Sequence, residues 1–432
     1  MEEAGASRAS FFLSLILHLS SLISHLSSFI SFIFHPFHPF PVHIVEIPSF
    51  FPPYGGEFCI EQSKALQALG HEVRIISNVQ LSVKKSVWEF FTLPYHRQFI
   101  EIEGVSDYQS FMRGVPKVVR PNVERWVGIV REMFQTYVER YGQPDILHAH
   151  CAKWAGYAAM LIAREYDIPY LITEHLPSMI FREEFGRKGT DAWQVPLLRE
   201  AYQHADRVIP VSEEVVTDLT PYFGNDYHWT AVSNVIDVDF FAYRKRSPRM
   251  GRPFRFCCIG NYIHRKGYDV LFQAFRMLAE NHPETELHIA GTGTDGHACR
   301  QAIRTHGGHT RIVAHGRIDR ESVRALLYDC DALALATRDE TQGLVLLEAM
   351  STGIPVVTTE AVPQCVRIAG GCWVAPIDDA HAFCALMNQV IEDQGDQSEA
   401  VSKRVGEMAA PPVVATRLTQ VFQECIAARQ RV

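Results

Sequence analysis

The chain has 432 residues, of which 47% are hydrophobic and 21% are charged, and its net charge at pH 7 is −8. This length exceeds one ordinary hydrophobic core, so two domains are expected, and the composition is that of a globular protein. The acidic balance argues against a nucleic-acid-binding protein, which would need a basic surface. Ten cysteines occur without a CxxC pair, which favours free thiols in a reducing cytoplasm over a disulfide framework.

Residues 1–41 form a low-complexity N-terminal extension. The heptapeptide HLSSLIS, residues 18–24, is followed directly by HLSSFIS, residues 25–31. The uncharged stretch 11–34 is long enough to span a bilayer, but serine and histidine interrupt it and no small-residue cleavage site follows. Our hypothesis is that Val42 is the true initiator, read from a GTG codon, and that the repeat is a translated leader. A membrane anchor and a disordered tail are the alternatives.

From residue 43 onward, short apolar strands alternate with helices. The strands predicted in the first half are HIVEIP, EVRIIS, DILHAH, PYLIT, RVIPVS and WTAVS, and the alternation restarts at FRFCCIG. Because the strands are apolar on both faces, the pattern indicates parallel, doubly wound sheets. The predicted fold class is therefore α/β, with two Rossmann-like domains that face each other across a cleft, where ligands bind beyond the carboxyl ends of the strands.

The domain boundaries follow from this alternation. A basic segment with proline and glycine reads as a linker between the two halves. The predicted divisions are an N-terminal Rossmann-like domain at 42–236, a linker at 237–252, a C-terminal Rossmann-like domain at 253–410 and a C-terminal helix at 411–432.

The segment DETQGLVLLEAM, residues 339–350, predicts a helix that contains a carboxylate. Its apolar residues recur at helical spacing, and Gly353 provides a left-handed stop. Gly343 marks the N-terminal end, where free N–H groups and the helix dipole favour an anion. Glu348 lies too deep to act as a cap, and a buried carboxylate needs partners. Either a salt bridge to a distant Lys or Arg, or hydrogen bonds from a vicinal diol such as a ribose, would supply them.

Three further features point to the same cleft. In SFFPPYGGE, Gly55 and Gly56 separate the first strand from a helix and would allow close approach to a phosphate or sugar, unless the turn is an ordinary one. In IGNYIHRKG, Arg265 and Lys266 follow a strand and suit a diphosphate, although a solvated basic loop is equally common. In TEH, His175 ends a strand, where a histidine is either structural or functional.

Two other patterns are weaker. GTGTDG, which begins at Gly291, matches GxGxxG, but the next strand ends without the acid that would hold a nicotinamide dinucleotide's ribose. Gly291 and Gly293 could still line a nucleotide site. Asp237 and Asp239 have metal-ligand spacing but fall in the predicted linker, and HAH at residues 148–150 lacks an evident third ligand. The sequence therefore predicts no metal site.

In combination these motifs resemble the retaining glycosyltransferases of family 4, which have the two-domain GT-B fold. SFFPPYGGE, TEH, the RKG loop and E-x7-E followed by AMSTGIPVV occur in the family's order from residue 43 to about 425. The resemblance implies transfer of a sugar from a nucleotide diphosphosugar to a glycan or lipid-linked acceptor, with retention at the anomeric carbon. It implies neither an essential metal nor another cofactor. We expect a cytoplasmic protein, with association at the inner face of the membrane as a further hypothesis.

The resemblance also implies residue roles on the donor side. Glu348 would bind the nucleotide ribose, and the backbone N–H groups of Gly343, Leu344 and Val345 would bind the pyrophosphate and sugar. Gly55 and Gly56 would approach from the opposite domain.

The resemblance assigns catalysis to His175, Arg265, Lys266 and Glu340. Glu340 would contact the hydroxyls of the donor sugar, Lys266 would neutralise the leaving diphosphate, and His175 would lie near the reacting centre. One departure from the family concerns Asn261, which stands where an arginine is usual, and Arg265 is the candidate to replace that charge. Negative charge grows on the β-phosphate as the glycosidic bond breaks, so fixed cations stabilise the transition state more than the ground state.

Two other functions remain open from the residues alone. A nucleotide-sugar epimerase can share this fold but would need no acceptor, and a non-catalytic nucleotide-sugar-binding protein would carry a decayed site. Peripheral membrane association is a further hypothesis, because basic and aromatic residues are frequent between Ser82 and Trp126. They are Lys84, Lys85, Trp88, Phe90, Phe91, Arg97, Arg113, Lys117, Arg120 and Trp126. Interspersed acidic residues favour a solvated surface instead.

Overall fold

The computed structural model describes residues 41–83, 86–115, 117–186, 188–189, 191–246, 251–307, 311–393 and 397–431. The predicted N-terminal extension, apart from Pro41, lies outside the described residues, as do Lys84 and Lys85 of the basic segment. Residues Val42–Val432 form one compact unit.

The N-terminal domain is built on a seven-stranded sheet with the order β3-β4-β2-β1-β5-β6-β7. Its strands are β1 (His43–Pro48), β2 (Glu72–Leu81), β3 (Gln98–Ile102), β4 (Val105–Arg113), β5 (Ile146–His150), β6 (Tyr170–Glu174) and β7 (Arg207–Pro210). All neighbouring strands are parallel except β3 and β4, which form an antiparallel hairpin at the sheet edge. Its two linking residues, Glu103 and Gly104, both have positive φ, as a tight hairpin turn requires.

Helices cover both faces of this sheet. They are α1 (Glu57–Ala68), α2 (Val87–Thr92), α3 (Val119–Tyr141), α4 (Tyr157–Tyr166), α5 (Val195–His204) and α6 (Glu214–Phe223). Val45 of β1 packs into a core with residues of α3, α4 and α5, whereas Ile44 packs on the opposite face with residues of α1. This two-sided burial explains why the strands read as continuous apolar runs.

One predicted strand of this domain is wrong. Residues 229–233, WTAVS, contain a single bridge, from Trp229 to Val208, instead of a strand. Trp229 is 40% exposed, so this segment is not a central strand of the sheet but an extended connection that runs beside β7.

The C-terminal domain has a six-stranded, fully parallel sheet with the order β10-β9-β8-β11-β12-β13. Its strands are β8 (Arg255–Ile259), β9 (Glu286–Ala290), β10 (Arg311–Gly316), β11 (Ala332–Ala334), β12 (Val356–Thr359) and β13 (Cys372–Ala375). Its helices are α7 (Tyr268–Asn281), α8 (His297–Ala302), α9 (Arg320–Asp329), α10 (Leu344–Thr352), α11 (Ala380–Glu392) and α12 (Ser398–Ala409). The two Rossmann-like domains predicted from the sequence are confirmed.

The last helix, α13 (Pro411–Arg429), returns to the N-terminal domain. Leu418 and Phe422 pack in one core with Ile44 and with Leu66 of α1. The imidazole of His71 is hydrogen-bonded to the Thr419 hydroxyl at 2.8 Å. The polypeptide therefore crosses between the two domains twice. None of the helices in the described ranges is both long and apolar enough to cross a bilayer.

Candidate active site

Helix α10 begins and ends as the sequence predicts. Gly343 precedes it with φ 76° and Gly353 follows it with φ 92°, both in the left-handed region that favours glycine. A Cβ on Gly343 would lie 2.7 Å from the Leu346 side chain. No side chain caps the first turn of α10. The Leu346 N–H donates to the Gly343 backbone oxygen at 2.9 Å, so the N–H groups of Leu344 and Val345 are the ones left for an anion.

The segment before α10 lies at the junction of the two domains. The Asp339 carboxylate accepts hydrogen bonds from the Ser178 hydroxyl at 3.0 Å and from the Met179 backbone N–H at 2.8 Å. The side-chain oxygen of Gln342 accepts from the Asn234 amide at 2.7 Å. These bonds place Glu340, which lies between the two bridging residues, at the interdomain cleft.

Two cations meet the carboxylate of Glu340. Lys266 Nζ lies 2.5 Å from Glu340 Oε1, and an Arg265 guanidinium nitrogen lies 3.6 Å from Glu340 Oε2. Arg265 also donates to the backbone oxygen of Asp339 at 2.8 Å. The side chains of Lys266 and Glu340 are 13% and 6% exposed. Within this cluster one carboxylate faces two cations, which leaves one positive charge in excess to meet an anionic group.

Glu348 is the carboxylate inside α10, and it is half-buried. Among the described residues no hydrogen bond or ion pair engages it. Arg320, the cation whose charge reaches it, is bonded instead to Glu61 and Asp237. Burial raises the pKa of Glu348 to about 7, against a smaller opposing effect of Arg320. The salt-bridge alternative considered from the sequence therefore finds no partner in the described structure.

The glycine-rich loop after β9 contacts the cation loop after β8. A Cβ on Gly291 would lie 2.1 Å from the backbone oxygen of Gly260, so only glycine fits this approach. The Asn261 side-chain oxygen accepts from the Thr292 backbone N–H at 3.1 Å. Gly293 has φ 87°. The residue that replaces the expected arginine therefore ties these two loops together.

In the N-terminal domain, Glu174 fixes the backbone around His175. One oxygen of the fully buried Glu174 carboxylate accepts from the backbone N–H groups of His175 and Leu176, each at 2.9 Å. The other oxygen accepts from the Tyr202 hydroxyl at 2.6 Å and from the Ala152 backbone N–H at 3.1 Å. Sequence reasoning missed this role, although an acid at a buried strand end is the signal that could have revealed it.

The Gly55–Gly56 turn lies beside the same histidine. Both glycines have positive φ, and a Cβ on Gly56 would lie 2.3 Å from the Phe50 backbone oxygen, whereas the space around Gly55 is open. Phe58, in the first turn of α1, lies against His175 with a ring separation of 4.0 Å. Gly56 is thus required by the turn itself, and Gly55 leaves room for a ligand.

A buried polar cluster lies between the sheet and α1. Side-chain atoms of Glu46, His148 and His150 that could bind a metal lie within 4.8 Å of one another. In the described part of the chain, this is the only group of three His, Cys, Asp or Glu residues that lie so close together. Glu46 is the third potential ligand beside the two histidines. The sequence did not reveal it, because it lies on β1 and becomes the neighbour of His148 only through the pairing of β1 with β5. Its carboxylate already accepts from Ser63 at 2.7 Å, and Gln62 bonds His148 Nδ1 at 3.2 Å. We therefore assign the cluster as a hydrogen-bonded network.

The other acid pair considered for a metal is also engaged. Asp237 accepts from an Arg320 guanidinium nitrogen at 3.2 Å and from the Phe240 backbone N–H at 3.0 Å. Its carboxylate is therefore part of the contact between the linker and α9.

A cavity of about 330 Å3 opens at the carboxyl end of the N-terminal sheet. It is lined by Ser49, Phe50, Phe51, Tyr54, Val79, Gln80, Ser82, Cys151, Lys153, Trp154, Leu176, Ile180 and Glu184. Leu176 and Tyr54 place it next to His175 and the Gly55–Gly56 turn. Lys153 forms an ion pair with Glu184 at 2.6 Å.

Comparison with known proteins assigns the family. Residues 55–240 match the model of Glycosyltransferase Family 4, and residues 239–408 match that of Glycosyl transferases group 1. A glycogen synthase of Mycobacterium tuberculosis is 30% identical over 303 residues, which are 66% of this chain and 70% of that protein. The chain belongs to glycosyltransferase family 4.

Solved structures show the GT-B fold of this family 4 glycosyltransferase. Sucrose-phosphate synthase from Thermosynechococcus elongatus superposes with a TM-score of 0.73 at 18% identity, covering 89% of this chain and all of that one. Anabaena HepE in complex with UDP-glucose superposes with a TM-score of 0.62 at 18% identity, covering 88% of this chain and all of that one. The glycosyltransferase family models and the glycogen synthase relative favour a transferase over the epimerase alternative.

Proposed function

We propose that this glycosyltransferase moves a hexosyl group from a nucleotide diphosphosugar to a glycan or lipid-linked acceptor, with retention at the anomeric carbon and without a metal. The observation that carries the proposal is the arrangement around α10. Arg265 and Lys266 converge on Glu340 just before an uncapped helix N-terminus, and Glu348 lies just over one turn further with no partner among the described residues.

The proposed position of the donor follows from protein groups that have no hydrogen-bond partner among the described residues or carry excess charge. Glu348 has a free carboxylate that can accept both hydroxyls of a ribose. The first N–H groups of α10 and the net positive charge of the Arg265–Lys266–Glu340 cluster suit a diphosphate. A UDP-sugar is the type of donor named in the HepE complex. The donor would therefore lie along α10, with its base beyond Glu348 and its sugar toward Glu340.

Catalysis follows from a change of partner at Lys266. Its ammonium is neutralised by Glu340 at 2.5 Å. When the diphosphate enters, Lys266 would turn to the β-phosphate and release Glu340 to the hydroxyls of the sugar. Lys266 would then stabilise the negative charge that develops on the departing phosphate. This stabilises the transition state more than the ground state. In a front-face reaction that phosphate takes the proton of the acceptor, so no separate base is needed.

The acceptor would occupy the cavity in the N-terminal domain. Two residues in its wall, Cys151 and Trp154, have φ of 68° and 69°, a conformation that costs a non-glycine residue energy and that concentrates at ligand sites. Aromatic and apolar side chains give the cavity faces for a sugar ring. The cavity lies beside His175, so an acceptor hydroxyl placed there would be near the proposed reacting centre.

A lipid-linked acceptor has additional support from α2. Trp88, Phe91 and Tyr95 are 77%, 65% and 75% exposed, and an exposed aromatic cluster is typical of an interaction surface or a membrane interface. Trp88 and Phe91 lie in α2, and Tyr95 follows three residues after its end. Helix α2 comes after β2, whose end contributes Val79, Gln80 and the adjacent Ser82 to the proposed acceptor cavity. Peripheral contact with a bilayer through α2 would bring a lipid-linked acceptor close to that cavity.

The test is a panel of nucleotide sugars followed by product analysis. Purified protein is screened by ligand-observed NMR and by slow donor hydrolysis, and the anomeric configuration of the product is read from its proton coupling. We expect binding of a nucleotide diphosphosugar, and transfer only when an acceptor is present. A sugar epimerised without acceptor would contradict the transferase assignment, and an inverted anomer would contradict retention.

A further inference from the structure

A line of three buried side chains leads from the sheet interior to the proposed reacting centre. Glu46 lies within β1, His150 is the last residue of β5, and His175 directly follows β6. His150 Nε2 lies 3.4 Å from Glu46 Oε2, and His150 Nδ1 lies 3.1 Å from His175 Nε2. Glu46 and His150 are fully buried and His175 is 9% exposed. The three residues therefore form one chain of polar contacts shielded from solvent.

The charge of Glu46 determines which nitrogen donates at each contact from Glu46 through His150 to His175. Burial alone would raise the pKa of Glu46, but the neighbouring imidazoles of His148 and His150 hold it well below its usual value, so the carboxylate is ionised. A carboxylate only accepts hydrogen bonds. His150 Nε2 lies 3.4 Å from this carboxylate, although the contact is not aligned as a hydrogen bond. We assign a proton to it, because a lone pair there would face the negative oxygen.

The remaining protons follow in turn. A neutral His150 would then accept at Nδ1, with His175 Nε2 as the donor at 3.1 Å. Burial holds the pKa of His175 well below its usual value, so this imidazole is neutral. His175 Nδ1 is left with a lone pair. That atom is buried and has no hydrogen-bond partner in the described structure, a state that a native protein tolerates where a ligand completes the bond.

We propose that Glu46 and His150 are positioning residues that hold His175 as the neutral Nε2–H tautomer, so that Nδ1 accepts a hydrogen bond from a substrate hydroxyl. The proposal rests on the proposed function in placing His175 beside the sugar. The second nitrogen of a histidine is set by the partner of the first, and such partners act through the histidine without touching the substrate.

His148 provides a matched control for this chain. It lies on the same strand, is as fully buried as His150, and its Nδ1 lies 3.7 Å from the same carboxylate. Its other nitrogen is bonded to the Thr173 hydroxyl at 2.7 Å instead of to His175. A substitution at His148 therefore disturbs the cluster without breaking the path from Glu46 to His175.

The first experiment reads the tautomer of His175 in the full chain by nitrogen-15 NMR of its imidazole. In the wild-type protein we expect a protonated Nε2 and an unprotonated Nδ1. Glu46→Gln should produce a mixture of the two tautomers, because an amide can donate to His150 as well as accept. His148→Gln should leave the wild-type pattern unchanged. A proton on Nδ1 in the wild-type protein, or the same pattern in Glu46→Gln as in the wild type, would overturn the proposal.

The second experiment separates positioning from stability. His150→Leu removes the acceptor for His175, whereas the side-chain oxygen of His150→Asn occupies the place of Nδ1 and should retain it. We expect kcat to fall about 10- to 100-fold in His150→Leu and in Glu46→Gln, with little change in donor KM, and to be largely restored in His150→Asn. Equal losses in His148→Gln and Glu46→Gln would show a merely structural cluster. If the tautomers behave as expected but no donor is turned over, the proposed function fails and the positioning chain stands.

Discussion

The ammonium group of Lys266 and the carboxylate of Glu340 form a nearly buried ion pair, 2.5 Å apart, in the interdomain cleft. Each side chain is therefore paired with the other at the position where a group of the donor is proposed to bind. Under the proposed function, donor binding would exchange one ionic partner for another. A ligand with a diphosphate for Lys266 and hydroxyls for Glu340 would supply new partners to both members of the pair.

Replacing Lys266 tests the cation that faces the leaving group. Lys266→Ala is expected to lower kcat roughly 100- to 1,000-fold, the scale that follows the loss of one stabiliser of developing charge. Steady-state kinetics with the donor identified by the panel measures the loss. Arg404→Ala, which removes an exposed cation on α12, is the control and should leave kcat unchanged. A loss confined to KM would show that Lys266 only binds the donor.

Arg265 tests whether a second cation covers for Asn261. Its guanidinium lies 3.6 Å from Glu340, on the same carboxylate as Lys266. We therefore expect Arg265→Ala to approach the loss of Lys266→Ala, and Arg265→Lys to recover part of it because the charge remains. If Arg265→Ala turns over at the wild-type rate, Arg265 is a surface cation and the missing arginine has no substitute here.

The sequence predicted those parts of the structure that local chemistry determines. Gly343 and Gly353 bound α10 because their positive φ suits glycine alone, and both signals are legible in one segment. The hairpin between β3 and β4 was not predicted, although Glu103–Gly104 has the composition of a tight turn. WTAVS was predicted to be a strand from its β-branched residues, but strand pairing depends on neighbours that a single segment does not specify.

Contacts between side chains on different strands could not be predicted from the sequence for the same reason. Glu46 and His148 are 102 residues apart and become neighbours only through the register of β1 and β5. Glu174 was passed over in favour of His175, because its four hydrogen-bond donors come from three separate elements. The roles assigned to Glu340 and Glu348 stay predictions, since the structure shows their surroundings and not their substrate.

Chelation tests the proposal that cations of the protein replace a metal. EDTA is expected to leave the transfer rate within about twofold, far from the loss that follows removal of an essential Lewis acid. The measurement compares rates before and after dialysis against EDTA, with readdition of Mg²⁺ or Mn²⁺ as the control. A rate restored only by one of these ions would direct attention to Asp237 and Asp239.

The pH dependence of donor binding reports the state of Glu348. Burial raises the pKa of this carboxylate to about 7, so it is protonated below neutral pH and ionised above. Only the ionised form accepts hydrogen bonds fully from both ribose hydroxyls. Affinity for the nucleoside diphosphate should therefore rise with pH up to 7, by at most about tenfold per unit, and level off above it. Glu348→Gln should abolish this component, while a titration of the phosphate itself would persist in that variant.

The two glutamates of the motif should differ in what they lose. Glu348 is proposed to hold the ribose, which does not change during the reaction, so Glu348→Gln should weaken donor binding by about 1.5 to 3 kcal/mol and raise KM. Glu340 is proposed to contact the sugar, which gains positive character in the transition state, so Glu340→Gln should lower kcat more than it raises KM. Glu340→Gln also frees Lys266 and Arg265, so the nucleoside diphosphate, which has no sugar, should bind this variant normally or more tightly.

Calorimetric titration at pH 8, where Glu348 is ionised, compares the two variants directly. Equal losses of affinity, or losses in the reverse order, would mean that the two carboxylates have exchanged roles.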